Sequence, residues 1–580
     1  MTNAEDKTPG TAATADVPQF APHDPGARHV TSARVDIDAG SAGTALEPVW
    51  ESLGYDEINW TYTPTGKKLL RSIGETSSRG FHVRPHYVFI SGTGMGLPHW
   101  GSGNVYHEDA DGKPIYDFAI VDDTYDAIVG AGHHVLVELG FTPRDLLPDR
   151  ALTEHTIIDS PTVYSAYEAG QWSYPPKDLD KWGDLVAALA QHSLERYGED
   201  EVSTWLWELW NEPDIFYWRG THEEFCALYE VTAAAVRRVL PDAKVGGPTV
   251  TGGPRGVTFL RDFLAFVVER ELPIDFVSFH TKGSHFTPWR TYGPLGSEAP
   301  EKQSPSTTKM LYEMRSLLRV MAEFPTIAAL PAIVDECDAG VPAHWGIYDN
   351  SNFAFQNTEY YPVFQVNLMK KILDLNEQEV ASVNRATTWS FYFEGERYFE
   401  GTRAFLTAGG VEKPFLNAYR VLGQLGDRRL PAVSNAAWHV DELDDAIVEG
   451  LAREEVDALA ARDDAGRLTV LVYRHADDQY STDDSEAPVT VAWCGLAAGS
   501  YRVEHFRIDD THSNAHTVWR DLGSPQDPTP EQLDAIRSRQ GLELLEEPSS
   551  VAVELGSLEV AVSLPLTAVS LLVLTPEAGR

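Results

Sequence analysis

The sequence predicts an α/β protein built as a (β/α)8 TIM barrel with a C-terminal β-sandwich domain. Between about residues 48 and 425, short apolar runs alternate with amphipathic stretches, the pattern of parallel strands separated by helices. After about residue 428 the runs become short, β-branched and separated by Gly, Pro and Asp-rich turns, which is the texture of a sandwich. The length of 580 residues agrees with two domains, because single cores rarely keep growing past about 250–300 residues.

Eight strand candidates can be counted in the first region, at residues 48–53, 82–89, 133–139, 204–210, 244–247, 275–279, 332–335 and 386–391. Helical periodicity fills the intervals, as at 179–197, 223–240, 257–271, 307–323 and 361–375. Eight such units close naturally into a barrel, whose catalytic groups stand at the C-terminal ends of its strands. In the second region, strands are expected at 468–473, 489–493, 501–506, 551–555 and 569–574, with a helix at 530–538 inserted between them. Residues 34–37 read as a further strand that joins the sandwich from upstream of the barrel. The expected organisation is a disordered lead at 1–28, a sandwich strand within 29–47, the catalytic barrel at 48–427 and the sandwich at 428–580.

The charge narrows the partners. With 87 acidic and 46 basic residues the formal net charge is -41, a field that repels phosphate backbones and anionic lipid surfaces. Nucleic acid and membrane are therefore not expected as partners, and no stretch approaches the roughly 18 apolar residues of a membrane span. A polyanionic polysaccharide would be slowed in the same field, although a local basic residue can still hold one carboxylate at short range. Cys226, Cys337 and Cys494 are too few for a disulfide framework and lack metal-like spacing. The start of the chain has no basic segment and apolar run of a secretory signal, so a cytoplasmic location is expected.

Two acidic segments carry the chemistry. Residues 205–214 begin as an alternating strand, and Pro213 cannot donate to a sheet ladder, so Asn211 and Glu212 fall at the strand's C-terminal end. A glycosidase acid needs a carboxyl group in a partly desolvated place, which Trp210 and Trp218 would supply; the bland alternative is a carboxylate that closes a strand or caps the next helix. Glu208, on the same face, reads as a structural or supporting group. Residues 331–338 form a second buried-strand pattern ending in Asp335, Glu336 and Asp338, three strands later. Of these Glu336 is the expected partner, against the alternative that the acidic cluster binds a cation. Retention requires about 5–5.5 Å between the two carboxyl groups and inversion roughly 6.5–9.5 Å, a gap that only the tertiary structure fixes.

These segments, with Val83-Arg84-Pro85-His86 and Val277-Ser278-Phe279-His280-Thr281-Lys282-Gly283, resemble glycoside hydrolase family 39. That family includes β-xylosidases and α-L-iduronidases on a (β/α)8 barrel plus β-sandwich, and the resemblance covers most of the chain from about Pro48. Asn-Glu-Pro alone marks only the wider clan of retaining barrels. The resemblance implies that Glu212 is the acid/base, Glu336 the nucleophile and Asn211 the group that hydrogen-bonds the sugar's 2-hydroxyl. It also implies an exo-acting enzyme.

Further pocket residues are expected around the pair. His86, near the end of the second strand, and His280, just past the sixth, are placed to bond a sugar hydroxyl or hold a catalytic carboxylate, the alternative for each being a satisfied core histidine. A His/His/carboxylate metal site is the sharper alternative, but no close HxxxH or HExxH spacing supports it, and neither metal nor cofactor is expected. Residues 389–397 close the eighth strand with aromatics and charges: Trp389 resembles a tryptophan common in the clan and Glu394 a sugar-binding glutamate of family xylosidases, while Phe391 and Phe393 could be plain core. Trp345 is a further pocket candidate.

The glycone turns on Lys282 and Arg403. A lysine like Lys282 helps hold the substrate carboxylate in the iduronidase branch, and the region of 530–538 resembles that branch too; the alternative for Lys282 is a salt bridge to a protein acid. Residues 399–406 and 411–414 instead resemble the closing segment of bacterial xylosidases, although Arg403 could bind a carboxylate. The expected function is release of a terminal β-D-xylose from oligosaccharides or glycosides, with α-L-iduronidase, arabinosidase, β-glucosidase or disaccharide-releasing activity as alternatives. A non-catalytic carbohydrate-binding protein and a metal-dependent barrel hydrolase are the alternatives from other classes. The expected partner is the carbohydrate substrate, with self-association into a homo-oligomer left open.

Overall fold

The computed structural model describes residues 29–92, 101–154, 171–284, 301–341, 343–444 and 454–577. The lead expected at 1–28 lies outside them. Eight parallel strands close on themselves in chain order: Ser52–Tyr55, His82–Pro85, His134–Leu139, Leu206–Leu209, Lys244–Val250, Phe276–Lys282, Pro331–Asp338 and an eighth broken into Ser382–Ala386 and Thr388–Trp389. The second piece of the eighth strand pairs with the first strand, Thr388 against Leu53 and Trp389 against Gly54.

The strands are apolar on both faces because helices cover the outside and side chains fill the inside. Helices Pro64–Gly74, Ala119–Val129, Leu179–Tyr197, His222–Val239, Pro254–Glu269, Thr307–Ala322, Tyr360–Gln378 and Phe415–Leu422 form the outer layer. Their starts follow local chemistry. Thr63, Asp178 and Ser306 each accept a backbone N–H at a helix start, and Thr221 with Glu224 makes a capping box.

Two strand boundaries differ from expectation in ways that matter for the site. The first strand runs to Tyr55 rather than ending at residue 53, which moves Asp56 to its C-terminal end. The sixth runs through Lys282, so His280 and Lys282 belong to the strand instead of following it. Closure also demands one glycine: a Cβ on Gly54 would meet Trp389 Cζ3 at 2.3 Å, so the bulky indole can lie over the first strand only where that strand has no side chain.

Apart from two short hairpins, Tyr106–Glu108 with Pro114–Tyr116 and Leu406–Thr407 with Val411–Glu412, the remaining strands form two sheets that face each other. In one, Ala33–Asp38 lies between Ala432–Ser434 and Glu486–Cys494, with Ser557–Pro565 at the edge. The other contains Glu455–Arg462, Leu468–His475, Ala568–Pro576 and Gly499–Ile508. Ala33–Asp38 alternates strictly between buried and exposed, as a strand with one face on a core must. Helix Pro530–Arg537 is inserted before the last sandwich strands. The sandwich is tied to the barrel through Lys371 of helix Tyr360–Gln378, whose Nζ lies 2.7 Å from Glu455 and 2.9 Å from Asp457, all three buried.

Candidate active site

The fourth strand ends at Leu209, before Pro213 is reached, and the turn that follows is conformationally costly. Trp210 (φ 69°) and Glu212 (φ 46°) both occupy the left-handed region that residues with a Cβ avoid. The strain persists because the surroundings hold it: Glu212 N donates to Thr249 O at 3.0 Å and the Trp210 indole donates to Tyr217 O at 3.1 Å. Glu212 is thereby left half-buried at the barrel mouth, with Asn211 buried beside it.

Register between the sixth and seventh strands assembles the other half. His280 pairs with Glu336 and Lys282 with Asp338, so alternate residues of both strands share one inward face. A bulge between Phe279 and His280 leaves Asp335 as the extra residue, which lets neighbouring Asp335 and Glu336 both reach the interior. His280 then bridges the two halves. Its Nδ1 lies 2.8 Å from Glu212 Oε1 and 3.7 Å from Glu336 Oε2, and its Nε2 lies 3.3 Å from Asp335 Oδ2. One oxygen of Glu212, one of Glu336 and a ring nitrogen of His280 all fall within 4.8 Å of one another.

Charge in the site is balanced group by group. Burial alone would depress the His280 imidazole, but the Glu336 and Asp335 charges and the bonds to Asp335 and Glu212 outweigh it and raise the group to about 10. Glu336 is the mirror case: burial opposes its charge, yet His280, Lys282 and Arg84 hold the carboxyl well below the usual range. Lys282 Nζ lies 2.5 Å from Glu336 Oε2 and 2.5 Å from Asp338 Oδ2. Asp338 also takes Arg403 Nη1 at 3.0 Å and the Trp389 backbone N–H at 2.9 Å. A metal ion at Glu212, His280 and Glu336 would have to take the proton of the His280 ring and displace the Lys282 ammonium from Glu336.

Beneath the pair, Arg84 is fully buried among carboxylates. Its Nε donates to Glu208 Oε2 at 2.7 Å, its Nη2 to Asn211 Oδ1 at 3.1 Å, and Glu138, Asp335 and Glu336 stand within 3.3–3.7 Å. Its guanidinium also lies over the Trp389 ring, 5.2 Å from the centroid. His86 Nδ1 bonds Glu138 Oε2. Burial pushes the Glu138 carboxyl up to about 8, against the pull of Arg84, and the His86 ring down to about 3.

A cavity of about 270 Å³ joins these groups. Of the expected site residues, it brings together Glu212, Glu336, His86, Asn211, His280, Lys282, Trp389 and Arg403. Glu394 and Trp345 are not among its lining. Glu394 is exposed and faces a second cavity beside Lys68 and Arg537, because the chain turns outward after Phe393 and carries it off the mouth. Trp345 is buried in the main apolar core.

Three contributions went unanticipated. Asp56 lines the cavity, and burial, against the pull of His86, raises its carboxyl to about 6. Its signal was an acid directly after the buried run Ser52–Tyr55. Arg84 could have been singled out as a charge inside a buried strand. Ile215, Phe216 and Tyr217 follow Glu212 in sequence and line the same cavity, yet nothing in their pattern distinguishes them from core residues.

A family model for glycosyl hydrolases family 39 matches residues 90–547. A β-xylosidase of Geobacillus stearothermophilus is 25% identical over 456 residues, covering 78% of this chain and 80% of that protein. Human α-L-iduronidase is 25% identical over 394 residues, covering 62% of this chain and 55% of that protein. In fold, the chain is similar to a family 39 enzyme from Xanthomonas axonopodis pv. citri, with a TM-score of 0.73, 22% identity and 95% and 98% of the two chains covered. A monomeric β-xylosidase from Caulobacter crescentus CB15 gives 0.72, 23%, and 94% and 100%.

Proposed function

The chain belongs to glycosyl hydrolases family 39 and is a glycosidase, and we propose that it is an exo-acting β-xylosidase that retains anomeric configuration. The observation that carries the mechanism is the spacing of Glu212 and Glu336, whose carboxylate oxygens approach within 4.8 Å across the barrel mouth. That spacing supports direct attack on the sugar, because inversion needs room for a water between the two groups. Glu336, held ionised by Lys282 and His280, attacks the anomeric carbon while Glu212 gives its proton to the leaving oxygen and the glycosidic bond breaks. Glu212, now a carboxylate, takes a proton from water; the hydroxide oxygen bonds to the anomeric carbon and expels Glu336.

Each remaining group has a task. His280 holds Glu212 through Nδ1 and is itself anchored on Asp335. Arg84 fixes Asn211, whose amide is then aimed at the sugar's 2-hydroxyl. Trp389 offers its indole to the apolar face of the glycone. A neutral pentose is favoured because Lys282 and Arg403 are both drawn onto Asp338, while Asp56 adds a carboxylate to the cavity. The share of the chain aligned with β-xylosidases is also larger than that aligned with iduronidases.

A second reading, α-L-iduronidase, is favoured by one observation: Lys282 and Arg403 are cations that line the cavity within reach of a uronate. Assay of aryl β-xyloside, α-L-arabinoside, β-glucoside and α-L-iduronide separates the readings. Turnover of the xyloside is expected; rapid iduronide cleavage without xyloside cleavage would overturn the choice. All three cysteines are free thiols, which fits the reducing cytoplasm proposed as its location, and no helix among the described residues is long and apolar enough to cross a membrane.

A further inference from the structure

The opposite end of the barrel carries a second feature that the glycosidase chemistry does not use. His82, His134, Leu206, Lys244, Phe276 and Pro331 are the first residues of the second to seventh barrel strands, and together they ring a cavity of about 400 Å³. Arg385, from the eighth strand, and Arg79, from the turn before the second, complete the wall. In a chain of net charge -41, this mouth gathers three permanent cations at one place.

Two of those cations have no acid within ion-pair distance. Among the described residues, Arg385 and Lys244 form no ion pair. Arg385 Nε is shielded from solvent and has no hydrogen-bond partner, and its Nη1 reaches only Asn384 Oδ1 at 3.2 Å. A half-buried guanidinium whose shielded Nε has no acceptor is costly. The acids on the wall remedy this only in part: burial lowers the guanidinium below its ordinary value even though the Glu51 and Glu47 charges oppose that. Asp275 is bound to Arg237 and the Val245 N–H, Glu51 to Ser77 and Arg79, and Glu47 is exposed. The cations crowd one another: burial together with the Arg385, His134 and Lys244 charges lowers His82 well below its ordinary value.

We infer that the N-terminal mouth of the barrel is a binding site for a small multivalent oxyanion, with Arg385, Lys244 and Arg79 as its ligands. The anion would supply the missing acceptor at Arg385 Nε and bridge the eighth strand to the fifth, drawing opposite sides of the barrel together. It would stabilise the fold without touching the catalytic mouth.

Inorganic phosphate is the probe. Thermal unfolding of the full chain is measured against phosphate concentration, with chloride holding ionic strength constant. A saturable rise in midpoint of roughly 2–4 °C is expected, lost in Arg385→Gln, reduced in Lys244→Gln and kept in Lys282→Met. Equal rises in the wild type and Arg385→Gln would mean a general salt effect and overturn the site. Loss in Lys282→Met with retention in Arg385→Gln would put the anion at the catalytic mouth and overturn it too. If Arg385→Gln fails to fold, calorimetric titration of phosphate into the wild type and Lys244→Gln, whose side chain is exposed, decides: an affinity equal in both, or no binding in either, refutes the inference.

Discussion

Lys282 Nζ stands 2.5 Å from Glu336 Oε2 and is itself anchored on the buried Asp338 carboxylate. The proposed nucleophile thus meets a cation that cannot swing away. Removing that charge in Lys282→Met should let the Glu336 carboxyl rise toward the ordinary carboxylate range, since Lys282 is one of the groups holding it down. The acid limb of kcat/KM should move to higher pH. An unchanged acid limb in the variant would show that Lys282 does not set the ionisation of Glu336.

Replacement of Glu336 by Gly should reduce kcat on an activated aryl glycoside by at least about 10³-fold. Azide, filling the space of the lost carboxylate, should restore turnover and give a glycosyl azide of inverted configuration. If turnover survives the substitution and azide yields no inverted product, Glu336 is not the nucleophile.

Glu212→Ala should separate substrates by leaving group. Loss of general acid catalysis costs about 10²–10⁴-fold where the departing oxygen needs a proton, and far less where it is an acidic phenol. A uniform loss across a series of aryl leaving groups would contradict the acid/base assignment.

The raised His280 imidazole makes stability fall on the alkaline side. Between its ordinary value of 6.5 and its folded value of about 10 the native state holds a proton that the unfolded chain has released. This contribution is fully present below pH 6.5 and is lost as pH rises through about 10. Denaturant unfolding measured from pH 6 to 10 should show a decline that His280→Gln flattens. The same variant frees Glu212 from the 2.8 Å contact with Nδ1, so kcat should fall and its pH profile change; a loss of stability alone would make His280 merely structural.

Arg84→Met should destabilise the fold by about 3–5 kcal/mol, because it strands Glu208, Glu138 and Asp335 as buried carboxylates without their cation. Urea denaturation gives the figure. Arg84→Lys should recover part of the stability but less of the activity, since an ammonium cannot serve Glu208 and Asn211 with the fork that Nε and Nη2 provide.

The barrel and the acidic pair were legible because their signals are local. Apolar runs of strand length mark the eight strands, and the acids of 335–338 mark the end of the seventh, whereas the fourth stops at Leu209, short of the end expected from Pro213. Asp56 escaped because the first strand was expected to stop at residue 53, two residues short of its end, which hid an acid at a strand terminus. Glu394 was expected at the sugar because it follows the aromatic run of the eighth strand, but the turn after Phe393 takes it outside. Trp345, expected at the pocket, packs into the main apolar core.

By itself, the sequence determined which residues could do chemistry: acids, a histidine and a lysine at or just past the ends of apolar strand runs mark Glu336, Asp338, His280 and Lys282. Only the tertiary structure decided that His280 stands opposite Glu336 and Lys282 opposite Asp338, because register between parallel strands is set by barrel closure and one bulge rather than by either strand alone. That register turns four scattered ionisable residues into a balanced site. It draws Lys282 onto Asp338, where Arg403 also binds, and sets Glu336 with an oxygen within 4.8 Å of one of Glu212.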